Sequence, residues 1–227
     1  MCGLQGYING LHCLKLNHSV IMDVRLQSPF NLTIVGPSQS GKSVFTFRLL
    51  DNVEQLITPQ PSRIIYCYAE YQDMFNLYPH IEFHEGLPNL NEFLGNNESI
   101  LLVLDDMMSE TNVEISNLFT KYGHHRNLSL VFLTQNLFYK DKHTRTMSLN
   151  THYIVMLKNP RDATQIMTLS RQMFPHNSKY MIEAFNDAVK RNYGYLLIDL
   201  KPTTDDRIRL RTNIFPDEAP VTVYAPK

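Results

Sequence analysis

Eight consecutive residues, Gly36-Pro37-Ser38-Gln39-Ser40-Gly41-Lys42-Ser43, complete the pattern G-x-x-x-x-G-K-[ST]. Each fixed position meets a need of polyphosphate binding. Gly36 and Gly41 carry no Cβ, so the backbone can turn tightly and come close to a phosphate. The amide N–H groups of such a loop point inward and cradle α- and β-phosphate oxygens. Lys42 brings a mobile positive charge to the β- and γ-phosphates, and the Ser43 hydroxyl is suited to ligate Mg²⁺. With Val44 beside it, the predicted nucleotide-binding stretch is 36–44. The flanks agree. Residues 30–35 read as a strand entering the loop, and 43–50 as a helix whose N-terminal dipole adds to the anion site.

A second constellation lies downstream. Leu101-Leu102-Val103-Leu104-Asp105-Asp106 is an apolar run ending in two carboxylates. Asp105 is placed to hold Mg²⁺ opposite Ser43, and Asp106 to orient and deprotonate an attacking water. Such a run is weak alone and gains meaning from the phosphate loop. The next apolar run, 128–134, ends in Gln135-Asn136, and an amide there can touch both a γ-phosphate and the water. The bland reading of Gln135 is an amide that caps a strand end. Just upstream, His124-His125-Arg126-Asn127 puts a guanidinium where it can project toward a neighbouring subunit. A trans-acting arginine speeds phosphoryl transfer by roughly 10³–10⁵. The alternative for Arg126 is a cation complementing a helix C-terminal dipole. Arg161 and Arg171 are the other finger candidates.

These residues need a scaffold that brings strand ends together. Strands are predicted at 31–35, 63–68, 99–105, 128–134, 152–157 and 195–200. Helices are predicted at 42–52, 91–95, 112–122, 160–173 and 179–190. Strands apolar nearly throughout suit a parallel sheet covered on both faces, and the alternation argues for an α/β doubly wound fold. An N-terminal extension, 1–27, is expected to add a strand or two at the sheet edge. The main domain runs from 28 to 215, and the proline-bearing tail 216–227 is expected to be irregular.

With 43% hydrophobic and 19% charged residues in 227, the chain can bury a sizeable core. A formal net charge of −1 provides no global basic field, so nucleic-acid contact requires local patches or charge pooled across subunits. No run is long and apolar enough to span a membrane, and residues 1–6 lack the pattern of a secretory signal. Cys2, Cys13 and Cys67, odd in number and widely spaced, fit free thiols in a reducing compartment. No His/Cys spacing suits zinc.

Taken together, the loop at 36–43, Leu101-Leu-Val-Leu-Asp-Asp-Met-Met108 and His124-His-Arg-Asn-Leu-Ser-Leu-Val-Phe-Leu-Thr-Gln-Asn-Leu-Phe138 resemble the FtsK/HerA-type ATPases. The branch they resemble is that of the DNA-packaging ATPases of double-stranded DNA viruses and Polinton/Maverick elements, related to the poxvirus packaging ATPase. Residues 145–162 and Tyr193-Gly-Tyr-Leu-Leu-Ile-Asp-Leu200 carry the same likeness. The resemblance covers about 28–215.

It implies a RecA-like core of the ASCE type, with a mostly parallel sheet, helices on both faces, and the Gln135 strand between the loop strand and the acidic strand. It implies Lys42 and Ser43 as phosphate and Mg²⁺ ligands, Asp105 as Mg²⁺ ligand, Asp106 as catalytic base, Gln135 as sensor and Arg126 as trans finger. It further implies a pentameric or hexameric homo-oligomeric ring around double-stranded DNA, with capsid proteins as further partners. The implied location is intracellular, in host nucleus or cytoplasm and transiently at a capsid vertex. No spaced acidic cluster follows Gln135 apart from Asp205-Asp206, so DNA cutting is not expected.

Two basic segments could serve such a partner. Tyr139-Lys140-Asp141-Lys142-His143-Thr144-Arg145 mixes cations with an aromatic and could touch phosphates without sequence preference. Arg207, Arg209 and Arg211 alternate along an expected strand and would then share one face. A strand-separating helicase, a small nucleotide kinase and a non-hydrolysing assembly protein are the competing functional classes. The kinase would be expected to carry an arginine-rich lid and to lack the Asp105-Asp106 and Gln135 set.

Overall fold

The computed structural model describes residues 5–8, 11–15, 23–89, 98–107, 112–122, 127–138, 142–218 and 220–226. In chain order the strands are β1 (Gln5–Ile8), β2 (Leu11–Lys15), β3 (Leu26–Gln27), β4 (Asn31–Val35), β5 (Ile57–Thr58), β6 (Arg63–Tyr68) and β7 (Glu82–Glu85). They continue with β8 (Ile100–Asp105), β9 (Leu128–Thr134), β10 (Tyr153–Leu157), β11 (Tyr195–Asp199), β12 (Leu210–Thr212) and β13 (Thr222–Ala225). The α-helices are α1 (Lys42–Asp51), α2 (Val53–Leu56), α3 (Asn112–Asn117), α4 (Lys142–Leu149), α5 (Thr164–Met173) and α6 (Ser178–Ala188). The chain divides into two compact units. One holds Met1–Arg25, Val35–Leu56 and Tyr153–Lys227, the other Leu26–Ile34 and Ile57–His152.

The second unit contains the parallel core that the apolar runs predict. Its strand order is β4-β9-β8-β6-β7, and β9–β8, β8–β6 and β6–β7 pair in parallel. All seven residues of β9 are buried, as are the first five of β8, which is why neither strand shows an apolar–polar alternation. Ile100, Leu102 and Leu104 of β8 and Leu128, Leu130 and Phe132 of β9 join one core cluster with Ile115, Leu118 and Phe119 from 112–122 and Met147 of α4. Asn31 ties this layer to β4, because its buried Nδ2 donates to the carbonyls of Phe119 at 3.1 Å and Asn150 at 2.8 Å. On β6, Phe75 stacks on Phe83 with ring centroids 4.4 Å apart and tilts against Tyr66.

The first unit is antiparallel, in the order β1-β2-β13-β12-β11-β10. Phe45 of α1 meets Tyr195 and Phe215 edge to face at 4.8 and 5.1 Å. Within its core Arg211 and Asp199, 1% and 3% exposed, form an ion pair at 2.8 Å. Arg211 also donates to the Val24 carbonyl.

The tail 216–227 is not irregular throughout. Its β-forming run Thr222-Val223-Tyr224-Ala225 is fully buried and pairs with both β12 and β2, so Pro216, Pro220 and Pro226 flank a strand instead of excluding one. The three arginines do not share a strand face either. Residues 206–208 form a 3₁₀ turn and β12 starts only at Leu210. Nearby carboxylates engage each side chain: Arg207 with Asp205, Arg209 with Asp206, Arg211 with Asp199. The helix expected at 160–173 begins at Thr164, where the Asp162 carboxylate accepts from the Thr164 amide and Gln165 Nε2. The helix expected at 91–95 lies outside the described residues.

Candidate functional site

The first unit carries the phosphate loop. β4 delivers the chain into Gly36, which is buried, and a Cβ added there would lie 2.4 Å from Ser40 Oγ and 3.0 Å from Leu157 Cβ. Only glycine fits that approach. Pro37 to Ser40 form a turn closed by the Ser40 amide on the Pro37 carbonyl at 3.2 Å. Ser38 and Gln39 are exposed on it. Gln39 and Gly41 take left-handed conformations, with φ of 63° and 101°, and the Gly at 41 bears this without a Cβ penalty.

Lys42 Nζ folds back across the loop and donates to the carbonyls of Gly36 at 2.8 Å and Pro37 at 3.1 Å. It thereby holds a cation over the loop's mouth. Helix α1 starts at Lys42 with Gly41 as its N-cap, no side-chain cap and no acidic residue in its first turn. The first N–H groups of a helix have no intrahelical partner, so this end presents donors and dipole together. Ser43, half-buried, is the second residue of that turn.

These features test whether a nucleotide triphosphate fits. Ser40 Oγ is buried and has no hydrogen-bond partner among the described residues, a state that native proteins seldom leave unexplained. An uncapped helix end, a backbone with no room for a Cβ, an inward ammonium and an orphaned hydroxyl are complementary to phosphate oxygens. The residues fit. A cavity of about 370 Å³ adjoins the loop's first residue, lined by Gly36, Leu157, Asn159, Asp162, Ile166 and Phe185 among others.

The second unit carries the acids and the amide. The parallel register sets Leu104 beside Phe132, so Asp105-Asp106 and Gln135 leave neighbouring strands at the same end. β9 lies between β4 and β8, the order that the resemblance implies. Asp105, half-buried, accepts from the Tyr66 hydroxyl at 2.6 Å. Asp106 is exposed and left-handed, with φ of 55°, a conformation that an aspartate tolerates better than most residues. Gln135 is exposed. Behind it a turn is closed by Thr134 Oγ1 donating to the Asn136 carbonyl and by Asn136 Oδ1 accepting from the Phe138 amide.

Tyr66 is the residue that sequence reasoning missed. Burial first, and the Asp105 charge second, push its phenol far above the ordinary range, so it remains a donor to Asp105. Its signal was a tyrosine inside the apolar run of β6, since a buried hydroxyl needs a partner. Next to it, burial pushes the Cys67 thiol up to about 12, which leaves it unreactive.

Arg126 and residues 139–141 lie outside the described residues. Arg161 and Arg171 are exposed and form no ion pair among the described residues. No helix among the described residues is long and apolar enough to cross a membrane.

Comparison with known proteins places these findings. No curated protein matches the chain in sequence at a significant level. Solved structures that align include ATPases 2 and 3 of Thermomonospora curvata EccC, in complex with a signal sequence peptide. That match has 12% identity and a TM-score of 0.44, and it covers 86% of this chain but only 37% of that one. Another is a KaiC-like protein, PH0186, from Pyrococcus horikoshii OT3, with 12% identity, a TM-score of 0.42, and 88% and 91% of the two chains covered. The family model of the poxvirus A32 protein matches residues 20–213. The chain therefore belongs to the poxvirus A32 protein family and, with its complete phosphate loop, is a P-loop ATPase.

Proposed function

We propose that the chain couples ATP hydrolysis to translocation of double-stranded DNA, as the genome-packaging motor of a virus or virus-like element. The observation that carries the reading is a Gln135 strand set directly beside the Asp105-Asp106 strand, in a chain whose sequence also holds a complete phosphate loop. The family match supports it. In this reading Lys42 and the amides at the start of α1 neutralise the β- and γ-phosphate oxygens. Asp106 accepts a proton from the water that attacks the γ-phosphorus in line, and Gln135 orients that water. Mg²⁺, held by Ser43 and Asp105, would supply charge neutralisation of the phosphate oxygens. Catalysis is then mostly positioning and electrostatic stabilisation. An arginine from a neighbouring subunit, Arg126 by the family resemblance, completes the charge balance in a homo-oligomeric ring. Capsid proteins are the docking partners, and the site of action is a capsid vertex inside the host cell.

A triplex-displacement assay tests the reading. A third-strand oligonucleotide bound to linear duplex DNA should be released in an ATP-dependent manner while the duplex stays paired. Release of a duplex strand would assign the chain to the helicases. ATP hydrolysis with neither release would remove translocation from the account.

A further inference from the structure

Tyr193 is 63% exposed, yet it is held in a left-handed conformation with φ of 58°. A bulky residue with positive φ is a genuine outlier, and such strain persists only where the surroundings impose it. Here the imposition is visible. Gly194 leaves no room for a Cβ, which would lie 2.4 Å from the Ala188 carbonyl. Its amide closes the turn on the Arg191 carbonyl at 3.0 Å. Two residues on, the Tyr195 ring is locked against Phe45 of α1, and its hydroxyl bridges Glu218 Oε2 and the Ile214 amide. The turn is thus pinned to the helix that follows the phosphate loop. The consequence is that the Tyr193 ring lies against Gly41, whose added Cβ would meet its Cδ1 at 2.7 Å. In the first turn of α1, Val44 is 49% exposed.

We infer that Tyr193 is the platform on which the nucleotide's base stacks. The inference rests on the ATPase reading and deepens it. Phosphates cradled by residues 36–43 leave the base to find a surface near the loop. An aromatic face fixed beside Gly41 offers stacking that any purine can use. The contact is π-stacking and apolar, with no donor or acceptor code, so it favours a nucleoside triphosphate over bare polyphosphate more than it separates ATP from GTP.

The test compares binding of ATP and of inorganic tripolyphosphate by calorimetry in the wild-type chain, Tyr193→Ala, Tyr193→Phe and Tyr193→Gly. Loss of a base–aromatic stack weakens binding by about tenfold, within the range such substitutions show. Tyr193→Ala and Tyr193→Gly should weaken ATP by that factor and leave tripolyphosphate unchanged, and Tyr193→Phe should bind ATP as wild type. Tyr193→Gly, freed of the left-handed strain, should also keep or raise the melting temperature, which separates a binding defect from a folding defect. Equal affinity for ATP in wild type and Tyr193→Gly, or an equal loss for ATP and tripolyphosphate, would overturn the inference. Failure of the wild-type chain to bind either compound would instead overturn the phosphate-loop reading beneath it.

Discussion

At the scale of single residues, the proposed chemistry rests on side chains whose geometry is imposed by their neighbours. Asp105 is the clearest case. Its carboxylate is held by Tyr66 from the adjacent strand, and partners of this kind are worth about 10–100-fold in metal affinity or activity. Tyr66→Phe keeps the ring and its contacts with Phe75 and Phe83 and removes only the hydroxyl. Turnover at saturating ATP should then require about tenfold more Mg²⁺ for half-maximal rate, as a Mg²⁺ titration would read. An unchanged Mg²⁺ profile would make Tyr66 a packing residue alone. The loop, the two acids and Gln135 could be read from the sequence as candidates because the chemistry proposed for them restricts the residue types that can serve. Tyr66 could not, because the partner of a carboxylate comes from another strand and leaves no mark on spacing.

At the scale of elements, legibility followed burial. The six strands read from apolar runs, 31–35 to 195–200, are found within a residue of their expected ends, because residues buried on both faces leave little choice of type. The edges were harder. β13 was hidden by its prolines, and the strand expected along Arg207, Arg209 and Arg211 begins only at Leu210, so the three arginines do not share its face. Arg211 is instead one half of a buried ion pair. Burial draws its guanidinium pKa down, and the Asp199 charge opposes that pull. Removing one partner strands the other charge in the core, so Asp199→Ala should cost about 3–5 kcal/mol, while replacing both by apolar groups of similar volume should cost little. Urea unfolding of Asp199→Ala and of Asp199→Leu/Arg211→Met would show this. If the single variant is as stable as the double, the pair is not the latch between β11 and β12 that the geometry indicates.

At the scale of the whole molecule, net charge bears on the proposed assembly. A chain of net charge −1 has no strong field of its own with which to hold DNA, so the proposed grip must be pooled around a ring and weaken steeply with salt. A trans arginine would make hydrolysis depend on that same ring. The measurement that tests this most directly is ATP turnover by the purified chain, with and without long double-stranded DNA, across protein concentration. The account predicts a rate that rises with DNA, climbs faster than linearly with protein concentration, and disappears in Lys42→Ala. A rate linear in concentration and indifferent to DNA would contradict it.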